Sequence, residues 1–197
     1  DSEWNGTGFG TDEGAWGWNS GTEVTPAGTV VSFTNFGASL TASRGAIVEN
    51  GAGGIGNSDE AVFAFLGTAP RVPTTMLAAI GTRQSSFYTP GAGSLAGTGL
   101  AFGATAIVLP TDIDIAAYTG PRTGLNQAGY LAALNDTANW TWQDGSGDQS
   151  VDGTAPDVPF SLTAFGLPAG PVLQAGDIAF TGFNADGNDD LAFVTFK

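Results

Sequence analysis

The C-terminal stretch, residues 176–197, restricts the fold of this chain more than any other part of it. Two short runs of apolar, β-branched and aromatic residues, 178–183 and 191–196, flank a polar segment rich in Asn, Asp and Gly. Strand-length apolar runs around such a segment predict a β-hairpin, here with an acidic turn.

The rest of the chain has the pattern of an all-β protein. Nearly continuous apolar runs at 59–67 and 75–81 have strand length and indicate strands buried in a sandwich core. Pro70 and Pro73 lie between them and exclude a tight two-residue hairpin, and an alternating strand is expected at 158–165.

One segment departs from the β pattern. Tyr130, Leu131 and Leu134 recur at helical spacing before the stop signal of Asn135. The predicted fold is therefore a Greek-key-like β-sandwich with one short helix at about 126–135 and long Gly-rich loops.

Three regions follow from this pattern: a β-sandwich body at 1–165, a Pro- and Gly-rich linker at 166–175, and the C-terminal hairpin at 176–197. The hairpin completes either its own sheet or the sheet of a neighbouring molecule. Strand exchange would use main-chain hydrogen bonds along a sheet edge, and head-to-tail repetition would build an open filament. The apolar residues expected to carry this assembly are Ile178, Phe180, Phe183, Leu191, Phe193 and Phe196.

Composition excludes several classes of function. The 19 acidic residues outnumber the 5 basic ones and give a net charge of −14, which disfavours nucleic acid and anionic lipid as partners. The chain has no Cys and no His, which removes thiol and imidazole chemistry and the usual zinc ligands. A metal would have to be bound by oxygen, so calcium is the expected cofactor.

Two acidic segments are candidate calcium sites. The segment 184–190 resembles a loop in which oxygen ligands alternate around calcium, although Gly182 stands where the first acidic ligand is expected. The second segment carries carboxylates at four-residue spacing in a Gly-rich loop. The proposed ligands are Asn184, Asp186, Asp189 and Asp190 in the first segment and Asp144, Asp148 and Asp152 in the second. A plain hairpin turn and a solvated loop are the alternative interpretations, and Asp112 with Asp114 forms a third acidic pair on one strand face.

The tryptophans allow a second kind of binding. Exposed indole rings stack on sugars, whereas buried rings anchor Gly-rich loops. The candidates for carbohydrate binding are Trp4, Trp16, Trp18, Trp140 and Trp142. No pair of carboxylates is singled out for glycoside hydrolysis, and a Ser nucleophile would lack His, so no enzymatic activity is predicted.

Several pieces of the sequence resemble a known module. Residues 176–187, 1–6, 61–67 and 131–140 are similar to parts of a β-sandwich module of large secreted bacterial surface proteins, especially cyanobacterial and other calcium-rich, repeat-containing ones. In that module the hairpin comes first, so the order here is permuted, and the strand that would join Lys197 to Asp1 is missing. Either the sequence cuts a tandem array of such modules out of phase, or the terminal strands of the subunit complete the sheet of a neighbouring molecule.

The resemblance and the composition together predict an extracellular or cell-surface structural subunit. It would assemble with copies of itself into a filament, sheath or surface layer, with calcium bracing its acidic loops. The alternative is an adhesin or carbohydrate-binding module that recognises surface glycans. No apolar run long enough to span a membrane is present, so membrane insertion is not expected.

Overall fold

The structure is a computed structural model that describes residues 4–11, 14–22, 24–51, 53–56, 60–82, 94–110, 113–167 and 176–196. Within these ranges the chain forms strands and one short α-helix, α1 (Gln127–Leu134). The strands are β1 (Trp16–Asn19), β2 (Val30–Thr34), β3 (Thr41–Ala42), β4 (Ala46–Glu49), β5 (Ala61–Ala69), β6 (Val72–Gly81), β7 (Ala106–Val108), β8 (Ile115–Tyr118), β9 (Trp140–Gln143), β10 (Ile178–Asn184) and β11 (Asp190–Thr195). The predicted all-β class and its single short helix are confirmed.

The strands form three sheets. The largest has six strands in the order β3-β2-β11-β10-β8-β9, and the others are β5-β6-β7 and the two-stranded β1-β4. The pairs of the six-stranded sheet are antiparallel, whereas β6 and β7 are parallel. The two strands of the C-terminal hairpin thus occupy the middle of the six-stranded sheet in the same chain.

The apolar runs of the hairpin reflect burial on both faces. Every residue of β10 and β11 is buried. On one face Phe193 contacts the ring of Trp18, with 5.6 Å between the ring centroids. At Gly182 the ring of Phe160 lies so close that an added Cβ would be 2.7 Å from it. Glycine is required at this point because the strand and the ring share the space.

The core consists of two apolar clusters. The larger joins the six-stranded sheet to β6, β7 and α1, and it includes Phe183, Ile80 and Tyr130. The smaller cluster, around Trp4 and Met76, lies among β5, β6, β7 and the loop before β7. The six- and three-stranded sheets therefore pack together in a sandwich-like arrangement.

The helix has local signals at both ends. The side chain of Asn126 caps it by accepting from Gly129 N at 2.9 Å. At its end, Asn135 N donates to Leu131 O. Its buried residues, Tyr130 and Leu134, belong to the larger cluster, which fixes the helix against the sheet.

Two local expectations were wrong. Strands β5 and β6 are joined by the two-residue turn Pro70-Arg71, in which Arg71 has φ 61°. Proline followed by a left-handed residue is the combination that type II turns use, so Pro70 favours the turn. The segment 158–165 forms no strand. It instead covers the sheet with Phe160 and Phe165, both buried.

Within the described ranges, no helix is long and apolar enough to cross a membrane.

The buried hairpin gives a stability prediction. Phe183 is 0% exposed in β10, whereas Phe102 is 50% exposed in a loop. Replacing Phe183 by Ala should lower the free energy of unfolding by about 3–5 kcal/mol through lost burial and the cavity left behind. The matched Phe102→Ala substitution should cost less than about 1 kcal/mol. Urea denaturation measures both, and equal losses would contradict the placement of Phe183.

Candidate functional site

The candidate site is the place that receives the C-terminal hairpin, which we call the hairpin seat. It consists of the facing edges of β2 and β8 together with Gln127, Asn35 and Ile55. Strand β11 pairs with β2 from Asp190↔Thr34 to Val194↔Val30. Strand β10 pairs with β8 from Gly182↔Ala117 to Asn184↔Ile115. The seat therefore offers two sheet edges with their main-chain donors and acceptors to one inserted hairpin.

The side chains predicted to carry assembly all lie in this seat or beside it. Each is at most 7% exposed and belongs to the larger apolar cluster: Ile178, Phe180, Phe183, Leu191, Phe193 and Phe196. Phe196 packs with the body, since its ring stacks on Tyr130 at 6.4 Å between centroids. These six residues are core residues of the sandwich.

The open end of the hairpin is held by helix α1. Gln127 Nε2 donates to Asp177 Oδ1 at 2.7 Å and to Gly176 O at 3.2 Å. Asp177 is 1% exposed, and its carbonyl oxygen accepts from Phe196 N at 2.7 Å. An amide donor from the body thus binds a buried carboxylate of the hairpin.

The turn end of the hairpin is held by two carboxylates. Asp190 Oδ1 accepts from Asn35 N at 3.1 Å, and Asp189 Oδ2 accepts from Ile55 N at 2.5 Å. Within the hairpin, Asn184 Nδ2 donates to the carbonyl oxygens of Asp186 and Asn188 at 3.0 Å. The acidic turn is therefore bound to two loops of the body by backbone N–H groups.

Burial perturbs both carboxyl groups. Burial raises the pKa of Asp189 above its usual value, the hydrogen bond from Ile55 N lowers it in part, and the nearby charge of Asp186 raises it. The pKa of Asp190 is also raised, mainly by burial and least by the charge of Asp189, against hydrogen bonds from Asn35 and Asn184. Both groups therefore carry their negative charge at a cost to the fold.

The two acidic segments proposed for calcium meet at this end of the sheet. Asp186 Oδ2 accepts from Gln149 N at 2.6 Å. The carboxylate of Asp148 lies directly against Gly187, where an added Cβ would collide with it. Asp144, Asp148 and Asp152 are all exposed. The segments follow β10 and β9, which lie on either side of β8 in the sheet, so the strand order brings together two segments that the sequence separates.

The carboxylates in these segments are bound mainly by protein N–H groups. Asp148 Oδ1 accepts from Ser150 N, and Asp152 Oδ1 accepts from Thr154 N. Across the part of the chain that the structure describes, no three acidic side chains converge on a point where they could hold a metal ion. Calcium binding by these segments therefore stays a prediction. Asp112, from the third acidic pair, lies outside the described residues, whereas Asp114 Oδ2 accepts from Gly145 N.

The tryptophans do not form one sugar-binding face. Trp4 and Trp140 are buried, and their indole N–H groups donate to Ala96 O and Leu134 O. The indole of Trp18 donates to Arg44 O at 2.7 Å. The ring of Trp16 packs on Phe36, with 4.6 Å between centroids. Trp142 is the member of the set with a largely free ring, at 42% exposure.

The residues that hold the hairpin ends were not found from the sequence. Gln127, Asn35 and Ile55 carry no motif, and two of the three act through backbone N–H groups that any residue except proline possesses. The helix prediction did place Gln127 near a helix start, which was the one available signal.

Comparison of the chain with protein-family models, with curated proteins and with solved structures finds no match in any of the three. The resemblance to secreted bacterial β-sandwich modules accordingly stays a prediction.

The raised carboxyl pKa values predict an unusual pH dependence. A folded-state pKa above the unfolded value means that the folded protein binds more protons in the window between the two. The contribution of Asp189 and Asp190 to stability should therefore increase as the pH falls from neutral through their raised pKa values toward 3.8. Asp189→Asn should raise the melting temperature at pH 7 and reduce this slope.

Asp152→Asn is the matched control, because it makes the same substitution in an exposed loop. Its pH–stability curve should follow the parent protein. A curve for Asp189→Asn that also coincides with the parent would contradict the cost assigned to this buried charge.

Calcium dependence gives a separate test. If calcium braces the acidic loops as the sequence predicts, the melting temperature should be higher in millimolar calcium than in excess chelator, since a ligand that binds the folded state stabilises it. An unchanged melting curve in excess chelator would contradict the calcium site.

Proposed function

We propose that this protein is an extracellular structural subunit that assembles with copies of itself by β-strand complementation. The C-terminal hairpin of one molecule would fill the hairpin seat of the next. The observation that carries this proposal is the sheet order: β10 and β11 form the centre of the six-stranded sheet between β2 and β8. Both strands are distant in sequence from β2. Asn35, which follows β2, donates its backbone N–H to Asp190, 155 positions later in the chain.

The seat cannot be left empty at low cost. Without the hairpin, β2 and β8 would each present an unpaired edge, and the apolar cluster would lose rings such as Phe183 and Phe193 to solvent. Open edges of this kind are templates for pairing with another chain. The same ladder and the same apolar contacts would form whether the hairpin comes from the same molecule or from a neighbour.

The connection between body and hairpin allows the exchange. Residues 168–175 join them, and their sequence begins Pro168-Ala169-Gly170-Pro171. Eight residues span at most roughly 30 Å when fully extended, which is enough to reach the seat of a molecule in contact. Exchange in one direction from molecule to molecule is heterologous, and it builds an open chain of subunits unless a ring closes.

The composition supports an extracellular location for such an assembly. The chain has no Cys or His and few basic residues, and its net charge is −14. A surface of this kind disfavours binding to nucleic acid and anionic lipid. Calcium held by the acidic loops would brace the assembled subunits, while the strand ladder itself is made by main-chain groups.

A disulfide across the seat tests the proposal. Ser32 and Ala192 are register partners on β2 and β11, and partners on antiparallel strands lie within the Cα separation that a disulfide spans. The chain has no natural Cys, so a Ser32→Cys/Ala192→Cys variant carries a single possible bridge. After mild oxidation, we expect denaturing gels without reductant to show a ladder of linked subunits.

The control is Thr34→Cys/Thr41→Cys, which bridges β2 to its sequence neighbour β3. This pair should link within one molecule in either arrangement and run as a monomer. A monomer band from the Ser32/Ala192 pair as well, together with electron micrographs showing only single particles, would mean that the hairpin stays in its own sheet and would overturn the proposal.

A further inference from the structure

We propose that Gln127 and Asp177 are a recognition pair that determines which hairpin the seat accepts. This inference rests on the proposed strand exchange, and the partner it identifies is a second copy of this chain. Gln127 belongs to the body and Asp177 to the hairpin, so in an exchanged assembly the bond between them would join two molecules.

The pair lies where the hairpin enters the sheet. Asp177 directly precedes β10 and is 1% exposed, and Gln127 Nε2 is 2.7 Å from its Oδ1. The same nitrogen donates to Gly176 O at 3.2 Å. Gln127 therefore contacts the two residues that lead into the first hairpin strand, and a hairpin shifted in register would lose both contacts.

Gln127 is held in a fixed position. It is the first residue of α1, whose N-terminus is capped by Asn126 and whose Tyr130 and Leu134 are packed in the core. The donor is thus part of a rigid element and does not follow the hairpin. A fixed donor that faces a buried acceptor selects by geometry and by polarity.

The chemistry of this pair differs from the other bonds described above between body and hairpin. The strand ladders use main-chain groups, and Asn35 and Ile55 donate backbone N–H groups. Main-chain donors of this kind would bind any hairpin that has a suitable backbone and suitably placed carboxylates. The Gln127–Asp177 bond joins two side chains, so its direction can be reversed by substitution.

Reversal needs only isosteric changes. The substitution Gln127→Glu keeps the shape of the side chain but places a second carboxylate against that of Asp177 in a buried site, which is strongly unfavourable. The substitution Asp177→Asn also keeps the shape and supplies an N–H donor. A seat that carries Gln127→Glu should therefore reject the natural hairpin and accept one that carries Asp177→Asn.

The experiment uses two full-length chains refolded together from denaturant in equal amounts. The acceptor chain carries Ser32→Cys, with or without Gln127→Glu. The donor chain carries Ala192→Cys, with or without Asp177→Asn. A disulfide between positions 32 and 192 then forms only between molecules, and mass spectrometry quantifies the linked peptide.

We expect the linked peptide in the natural combination and its loss by about tenfold or more when the Gln127→Glu acceptor meets the natural donor. The yield should recover in large part when that acceptor meets the Asp177→Asn donor, although the bond to Gly176 O stays absent. This recovery shows that the Gln127→Glu chain still folds. The natural acceptor with the Asp177→Asn donor should keep most of the yield, because the new amide still offers a carbonyl oxygen to Gln127 Nε2.

The outcomes separate the two proposals. No linked peptide in the natural combination would contradict strand exchange itself. Equal yields in all four combinations would support exchange and overturn the recognition pair.

Melting temperatures of single chains without added cysteines test the pair independently of exchange. Gln127→Glu should lower the melting temperature, and adding Asp177→Asn should restore part of the loss, because the bond to Gly176 O stays absent. If the melting temperature of the double variant shows no recovery, the Gln127–Asp177 recognition pair is contradicted.

Discussion

The structure depends on the main-chain ladder that β10 and β11 form between β2 and β8. This ladder joins the two halves of the six-stranded sheet, and it brings with it the rings that fill the larger apolar cluster. Backbone hydrogen bonds contribute little net free energy each, but an unpaired buried group is expensive, so the whole row of contacts forms together or not at all. The fold is accordingly a sheet whose centre is a separate segment of sequence.

The acidic turn has a related role. Its carboxylates accept hydrogen bonds from body loops at Asn35, Ile55 and Gln149, so the negative charges are held by oriented backbone dipoles. Such bonds offset part of the cost of burying a carboxylate, although the raised pKa values of Asp189 and Asp190 show that burial outweighs them. The buried carboxylates at this end of the sheet are therefore held by hydrogen bonds at a cost to the stability of the fold.

Sequence reasoning predicted the elements that depend on local pattern. Strands β10 and β11 were predicted from their apolar runs, and α1 from the spacing of Tyr130, Leu131 and Leu134. A helix buried along one stripe and a strand buried on both faces each have a regular pattern of apolar residues. The turn at Pro70 was missed because a proline was interpreted as a barrier to the turn that it favours. The alternation at 158–165 indicated a strand, but its apolar residues cover a sheet and make no ladder.

The candidate site was less predictable for a different reason. Gln127 and Asp177 lie 50 residues apart, and nothing in either neighbourhood marks them as partners. The two acidic segments likewise meet because β8 pairs with β10 on one side and with β9 on the other. Local composition does not predict this strand order. Long-range pairing also made the tryptophans ambiguous, since the indole N–H groups of Trp4 and Trp18 bond to carbonyls of distant segments.

Strands β10 and β11 follow the other strands of their sheet in the sequence, and this order affects how the protein folds during synthesis. A growing polypeptide cannot close the six-stranded sheet until the ribosome has passed residue 196, because its central strands do not yet exist. Until then the edges of β2 and β8 have no hairpin to pair with, and folding must wait for contacts of high sequence separation, which form slowly. Before β10 and β11 are made, the edges of β2 and β8 are therefore open to pairing with an added strand.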